Sequence, residues 1–304
     1  MANSTLLQLI TDACGEMGNP AIPTTVVGNQ TTNAIQLLAQ ANAAGNMLAR
    51  EYQWQASTVE YRFTTQYLDT TGTRTTSAAT VTLIPTTAAL AAGTWMATGT
   101  GIPQDTYIFS VDSATQVTLT NTPTIASTGA ILFSQTKYTM PSDFDRLIDR
   151  TDWDKSQHWE LLGPETAQQW QWLKSGYIAT GPRVRFRPLG GYFQTWPPLS
   201  SNDQMGFEYQ SKYWIYATGA AAVSKARFTV DTDTCIFPDR LMVAAIKKAY
   251  YGSKGFAPAW DNEYATQLEL AKAHDAGSKT LSMMARGGEQ LISTANLPES
   301  GYGP

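Results

Sequence analysis

The chain has 304 residues, of which 42% are hydrophobic and only 15% charged, with a net charge of -4. That composition fits a globular protein with a polar, weakly charged surface, as a subunit covered by copies or partners would have. It argues against a protein that grips nucleic acid by neutralising phosphate, and no apolar run is long enough to span a bilayer.

The length exceeds the usual single domain, so two domains or one domain with a large insertion is the starting expectation. The Met1-Ala2-Asn3-Ser4 start lacks the charged and apolar regions of a secretory signal. From Ser4 to Met17 the spacing of Leu7, Ile10, Cys14 and Met17 predicts a helix capped by Ser4 and ended by Gly18-Asn19-Pro20. A second helix is predicted from Thr32 to Gln55. Its expected buried stripe is Ile35, Leu38, Ala41, Gly45, Leu48 and Tyr52, and its Ala-rich middle is slim enough for close helix packing.

At Thr58 the period changes to two, with Val59, Tyr61, Phe63 and Thr65 alternating against polar residues. Residues 69–134 are dense in Thr, Ala and Gly and nearly free of charge. Short alternating runs at Thr80–Leu83, Thr106–Phe109 and Gln116–Leu119, separated by turns, predict a small all-β unit, a sandwich or barrel. The flanks, Tyr61–Tyr67 and Gln135–Met140, also read as strands that would pair as a hairpin were the unit deleted, so the unit reads as an insertion at a hairpin tip. Beyond Pro141 lies an aromatic-rich region. It has predicted strands over Pro182–Pro188 and Gln204–Ser211 and a short helix over Gly163–Leu173, with Pro164 in its first turn. Its aromatics are read as packing residues ahead of a ligand surface. The last third is helical, from Phe237-Pro238-Asp239 to Gly252 and from Trp260-Asp261 toward Met284. Residues 287–304 lack periodicity and read as an extended arm.

Chemistry-bearing motifs are sparse. Cys14 and Cys235 stand far apart and read as two buried free thiols rather than a disulfide. His158 and His274 are the whole histidine complement, too few for a His-based triad or a multi-His metal site, and no phosphate-cradling loop is present. The reading therefore calls for no cofactor, metal or catalytic residue. Asp143, Asp145, Asp149, Asp152, Asp154 and Glu160 lie among tryptophans, a pattern that glycan hydrolysis can use. The same acids can equally pair with Arg146, Arg150 and Lys155 or cap turns. Arg183, Arg185 and Arg187 recur with period two and would share one strand face, either gripping phosphate or an acidic neighbour or forming a solvated face or inter-subunit salt bridges.

Two stretches carry a resemblance. One is Tyr138-Thr139-Met140-Pro141-Ser142-Asp143-Phe144-Asp145-Arg146-Leu147-Ile148, with Trp153-Asp154 and Gly163–Trp170 after it. The other is Phe207-Glu208-Tyr209-Gln210-Ser211-Lys212-Tyr213-Trp214, after Trp196-Pro197-Pro198. Together with the opening and closing helix pairs, they are similar to the head-to-tail adaptor family of short-tailed phages. The inserted unit resembles the Ig-like β-modules of virion proteins.

The resemblance implies an α+β fold: a helical bundle from the N- and C-terminal helices, a central β-rich region and a small all-β, Ig-like insert. Its parts would be residues 1–68, 69–134, 135–286 and an arm, 287–304. It also implies a non-catalytic virion protein at the head-tail junction, assembled in the host cytoplasm. Copies would form a ring, a dodecamer, between the portal protein and the tail nozzle protein. DNA would pass through the lumen without specific binding, and no membrane is involved. The expected partner contacts are Arg183, Arg185 and Arg187, and Gly287, Leu291, Leu297 and Tyr302 along the arm. A carbohydrate- or receptor-binding virion protein and a tail-associated glycan hydrolase are the competing readings.

Overall fold

A computed structural model of the protein describes residues 3–18, 20–175, 183–256 and 258–275. The expected arm, with Gly287, Leu291, Leu297 and Tyr302, lies outside the described residues, as does the expected helical continuation to Met284.

Helix α1 (Leu6–Met17) begins where Thr5 and Gln8 close a reciprocal capping box, and it stops at Gly18, whose φ of 69° favours glycine. Thr5 rather than Ser4 is therefore the cap. Ser4 instead bonds Asp239 through its amide and hydroxyl, at 2.9 and 2.6 Å. Helix α2 (Thr32–Glu51) stops short of the expected Gln55, and a 3-10 turn, Gln55–Ser57, follows. Its buried face is Ala34, Leu37, Ala41, Ala44, Gly45 and Leu48, whereas Ile35, expected in the stripe, is 52% exposed. In so alanine-rich a helix the apolar pattern alone fixes its facing direction poorly. Close packing of Gly45 against the Trp214 ring, where any Cβ would overlap, sets the rotation.

Strand β1 (Thr58–Thr64) alternates as predicted, with Tyr61 and Phe63 stacked at 5.9 Å and more covered than Glu60, Arg62 and Thr64. Then come β2 (Tyr67–Arg74), β3 (Thr80–Thr82), β4 (Trp95–Thr98), β5 (Ile108–Ser113), β6 (Gln116–Leu119) and β7 (Ser127–Gln135). They form one antiparallel sheet in the order β4-β7-β2-β3-β6-β5. An isolated bridge, Met96↔Tyr107, joins its two edges, so the pairing runs round like a small barrel rather than forming two sandwich sheets. Inside are Val81, Ile84, Trp95, Ile108, Val117, Leu119, Ile131 and Phe133.

With the insert present the flanking strands do not pair with each other. Strand β1 joins a different sheet from β8 (Lys137–Thr139). The insert is rooted instead by β2 and β7, paired from Tyr67↔Ser134 to Arg74↔Ser127. Long, uninterrupted pairing at the root satisfies the backbone groups that a hairpin tip would leave exposed.

The chain continues through β9 (Phe144–Leu147), β10 (Trp153–Asp154), β11 (Trp159–Glu160), α3 (Ala167–Lys174), β12 (Arg185–Leu189), β13 (Tyr192–Trp196) and β14 (Gln204–Ser211). Helix α3 starts later than expected. Thr166 and Gln169 cap it reciprocally, and Pro164 precedes it. Next come β15 (Ile215–Tyr216), β16 (Val223–Lys225), β17 (Thr234–Cys235), α4 (Asp239–Ser253) and α5 (Pro258–Asp275). The fold is thus α+β and rich in strands. Besides the barrel-like sheet the described residues form three antiparallel sheets: β1-β14-β10-β11 with β9 beside β14, β12-β13-β8, and β16-β15-β17.

By contacts the described residues divide into two units, 3–59 with 143–147 and 209–275, and 60–142 with 148–208. In the first, α4 packs on α1, α2 and α5 around Leu6, Leu9, Ile10, Leu37, Leu48, Trp214, Phe237 and Ile246. Cys14 and Cys235 are buried there as free thiols, as expected, and burial pushes the Cys235 thiol up to about 12. In the second, the rings of Phe186, Phe193 and Phe207 stack in series, at 4.8 and 5.0 Å. Residues 67–135 have their own sheet but not a wholly private core. Met96 and Tyr107 share an apolar cluster with Trp170 and Leu173 of α3 and Trp196 of β13, which explains why the insert and residues 148–208 fall in one unit.

Candidate functional site

Asp143 and Phe144, in the first stretch of the resemblance, meet residues of the second. The Asp143 carboxylate accepts hydrogen bonds from the Tyr209 hydroxyl (2.8 Å) and the Ser211 hydroxyl (2.7 Å), and its carbonyl accepts from the Lys212 amide (2.7 Å). The Phe144 ring lies 5.6 Å from that of Tyr209, and β9 pairs with β14 through Tyr209↔Leu147. Ser211 then accepts from the Tyr213 amide, which starts the turn that delivers Trp214. This ring is fully buried between Gly45, Phe228 and Phe237, and its indole N–H donates to Asn46 at 3.0 Å. Asp143 is therefore a structural joint whose oxygens are already engaged.

The other expected acids are mostly engaged as well. Asp145 faces Arg50 at 3.7 Å. Asp154 accepts from the amides of Ser156 and Gln157, closing the turn after β10, and burial raises its pKa. Asp152 is different. Its carboxyl is buried, one oxygen finds no hydrogen-bond partner among the described residues, and burial together with the nearby Asp149 and Glu160 charges lifts its pKa to about 7. No group of three or more His, Cys, Asp or Glu among the described residues is placed to hold a metal ion. His158 sits at the turn between β10 and β11 with a φ of 56°, and His274 lies in the last turn of α5.

The arginine trio divides. Arg183 is exposed and precedes the strand, while Arg185 and Arg187 lie two apart on β12. Arg185 already has a partner within the chain: its guanidinium pairs with Glu165 at 2.7 Å, while the Glu165 amide bonds the Phe186 carbonyl. That clamp ties the approach to α3 onto β12.

In the second unit a concavity of about 570 Å³ lies over the sheet β1-β14-β10-β11. Glu60, Arg150, Trp153, Lys155, His158 and Glu208 are among its lining residues. Register explains the arrangement. Trp153 pairs with Gly206 and Glu160, so alternation puts Trp153 and Lys155, with Gly206 and Glu208, on one sheet face. Asp154, Trp159, Met205 and Phe207 take the other. The Lys155 stem crosses Gly206 so closely that a Cβ there would stand 2.7 Å from its Cε, and its ammonium reaches Glu60. Glu60 also accepts from Arg62 at 2.6 Å; that bond, with the one from Lys155, holds its carboxyl down at about 2.

Sequence reading had Trp153 and Lys155 within an acidic cluster but missed Glu60, Gly206 and Glu208, which come from strands distant in the chain. The one local signal was a glycine inside a strand pattern, which often marks a close approach.

Compared with protein-family models and with characterised proteins, the chain matches none of them.

Proposed function

We propose that the chain is a structural, non-catalytic head-to-tail adaptor of a short-tailed phage. Copies would form a ring, a dodecamer, between the portal protein and the tail nozzle protein, at the head-tail junction of the virion. The observation that carries this reading is the joint at Asp143. The two stretches that resemble the adaptor family, far apart in sequence, engage one another through Asp143, Phe144, Tyr209 and Ser211. Residues that recur as packing motifs should pack, and these do.

In this reading the helices around α4 form the bundle that docks on the portal, and residues 287–304 would reach along it. The Ig-like kinship of the insert is not carried over, because its six strands pair as one sheet. Assembly would be mechanical, with modest contacts multiplied around a closed ring. A net charge of -4 suits a lumen past which DNA slides without being gripped. Engagement of Asp143, Asp145 and Asp154 in internal bonds disfavours the hydrolase reading of the acidic cluster.

Electron microscopy of the protein mixed with the cognate portal tests the proposal. The expected result is a collar beneath the portal ring that shares its symmetry. A protein that leaves portal rings bare at saturating concentration overturns it.

A further inference from the structure

We infer that the concavity over Gly206 is a binding site for an uncharged saccharide, with Trp153 as its stacking platform. This stands independently of the adaptor reading. About 570 Å³ is the size of an ordinary small-molecule site. Trp153 is 41% exposed at its rim, the position that a platform needs. The apolar C–H face of a pyranose carries slight positive charge and meets the negative face of an indole favourably.

The polar groups point to the same class of ligand. On that face Glu60 and Glu208 are balanced by Arg150 and Lys155. Such a site has no net charge with which to select an anion or a cation, yet it offers both donors and acceptors, as hydroxyl groups require. The pairing of Glu60 with Arg62 and Lys155 fixes one acceptor in place, and the absence of a Gly206 side chain lets Lys155 lie flat along the floor. The Glu208 carboxylate and the Arg150 guanidinium take no side-chain partner among the described residues, and both stand exposed. They are free to bond hydroxyls of a ring stacked on Trp153.

The molecule supplies its own control. Trp159, 42% exposed, lies on the opposite face of the same hairpin, since it pairs with Asp154 while Trp153 pairs with Glu160. A general stickiness of exposed indoles would make the two equivalent, whereas the saccharide site uses only Trp153.

The test is saccharide-observed saturation-transfer NMR on the full chain, with maltopentaose, chitotetraose and mannotetraose as neutral probes and heparin as the anionic one. At least one neutral probe is expected to bind, with W153A weakening it about tenfold or more and W159A leaving it unchanged. W153F, which keeps a ring, should restore most of the binding, and E208Q should weaken it about threefold. Thermal unfolding of the W153A protein at the wild-type temperature shows that the fold is intact. Failure of every neutral probe to bind overturns the proposal. So does equal loss in W153A and W159A, or a preference for heparin that W153A leaves unchanged.

Discussion

The helical unit and the barrel-like insert solve the burial problem with different materials. Around α4 the core is built from large side chains that cross between elements, with Trp214 set against Gly45 and a lysine, Lys247, only 1% exposed. That ammonium is held by Glu16 (2.5 Å) and Glu263 (2.7 Å) and lies 4.6 Å from the Trp260 ring centre. The insert holds four charged residues between positions 69 and 134: Asp69, Arg74, Asp105 and Asp112. Its strands turn mostly aliphatic side chains inward, around Trp95 and Phe133, and its threonines recur on the outer face. A core built on few, large, interlocked groups concentrates free energy at single positions, whereas a ladder of many small pairs spreads it thinly. Point substitutions should therefore be severe in the first region and mild on the outer face of the second.

The largest effect should come from removing the partners of Lys247. The double substitution E16Q/E263Q leaves a buried cation without a counter-charge and is expected to destabilise by about 3–5 kcal/mol in urea unfolding. K247M, which removes the charge and keeps the volume, should cost far less. If the double variant were no worse than K247M, the ion cluster would not be the concentrated element that the comparison makes it.

Asp152 gives a second concentrated term, in the unit that also holds the insert, and one that responds to pH. Its carboxyl keeps a proton in the folded protein up to about pH 7, whereas unfolded it ionises near ~4. The cost of burying the charge is therefore absent below the unfolded value, builds between the two values and is complete above the folded one. D152N should raise stability at pH 8, by up to ~4 kcal/mol from a shift of this size, and change little at pH 4. A benefit independent of pH would show that the carboxyl does not titrate with folding.

G45A should cost about 3 kcal/mol, because the added methyl overlaps a buried ring that cannot rotate out, and this outweighs the gain in helix propensity. Relief of that cost by a smaller ring in the W214F background would locate the clash.

Much of the fold was legible in the sequence, because period and punctuation are local. The strand at Thr58, the helix after Phe237-Pro238, the β character of the insert and the strand over Gln204–Ser211 all follow from alternation or helical spacing. What was not legible depends on partners. Ser4 looks like a cap as good as Thr5 until Asp239, distant in sequence, claims it. The rotation of α2 is set by Trp214, and the choice of β2 with β7 over a flanking hairpin by the closure of an entire sheet. The site shows the same division. Trp153 and Lys155 stood out locally, but Glu60 and Glu208 join them only through register. The arginine run was visible as a period, yet the Glu165 that occupies Arg185 was not.

The smallest effect belongs on the outer surface of the insert, where the comparison predicts that no single residue matters much. Thr73 and Thr128 face each other across β2 and β7, their hydroxyls 2.8 Å apart and exposed. A cross-strand pair of this kind contributes about 0.2–1 kcal/mol, and valine, a good strand former, keeps the shape of threonine. T73V should therefore lower stability by no more than about 0.5 kcal/mol, and T73V/T128V by less than twice that, because the second change leaves no hydroxyl without its partner. Denaturant titration of both variants beside G45A would read the contrast directly. If T73V cost as much as G45A, stability in the insert would be concentrated in its threonine ladder, and the distinction between an interlocked core and a distributed sheet would fail.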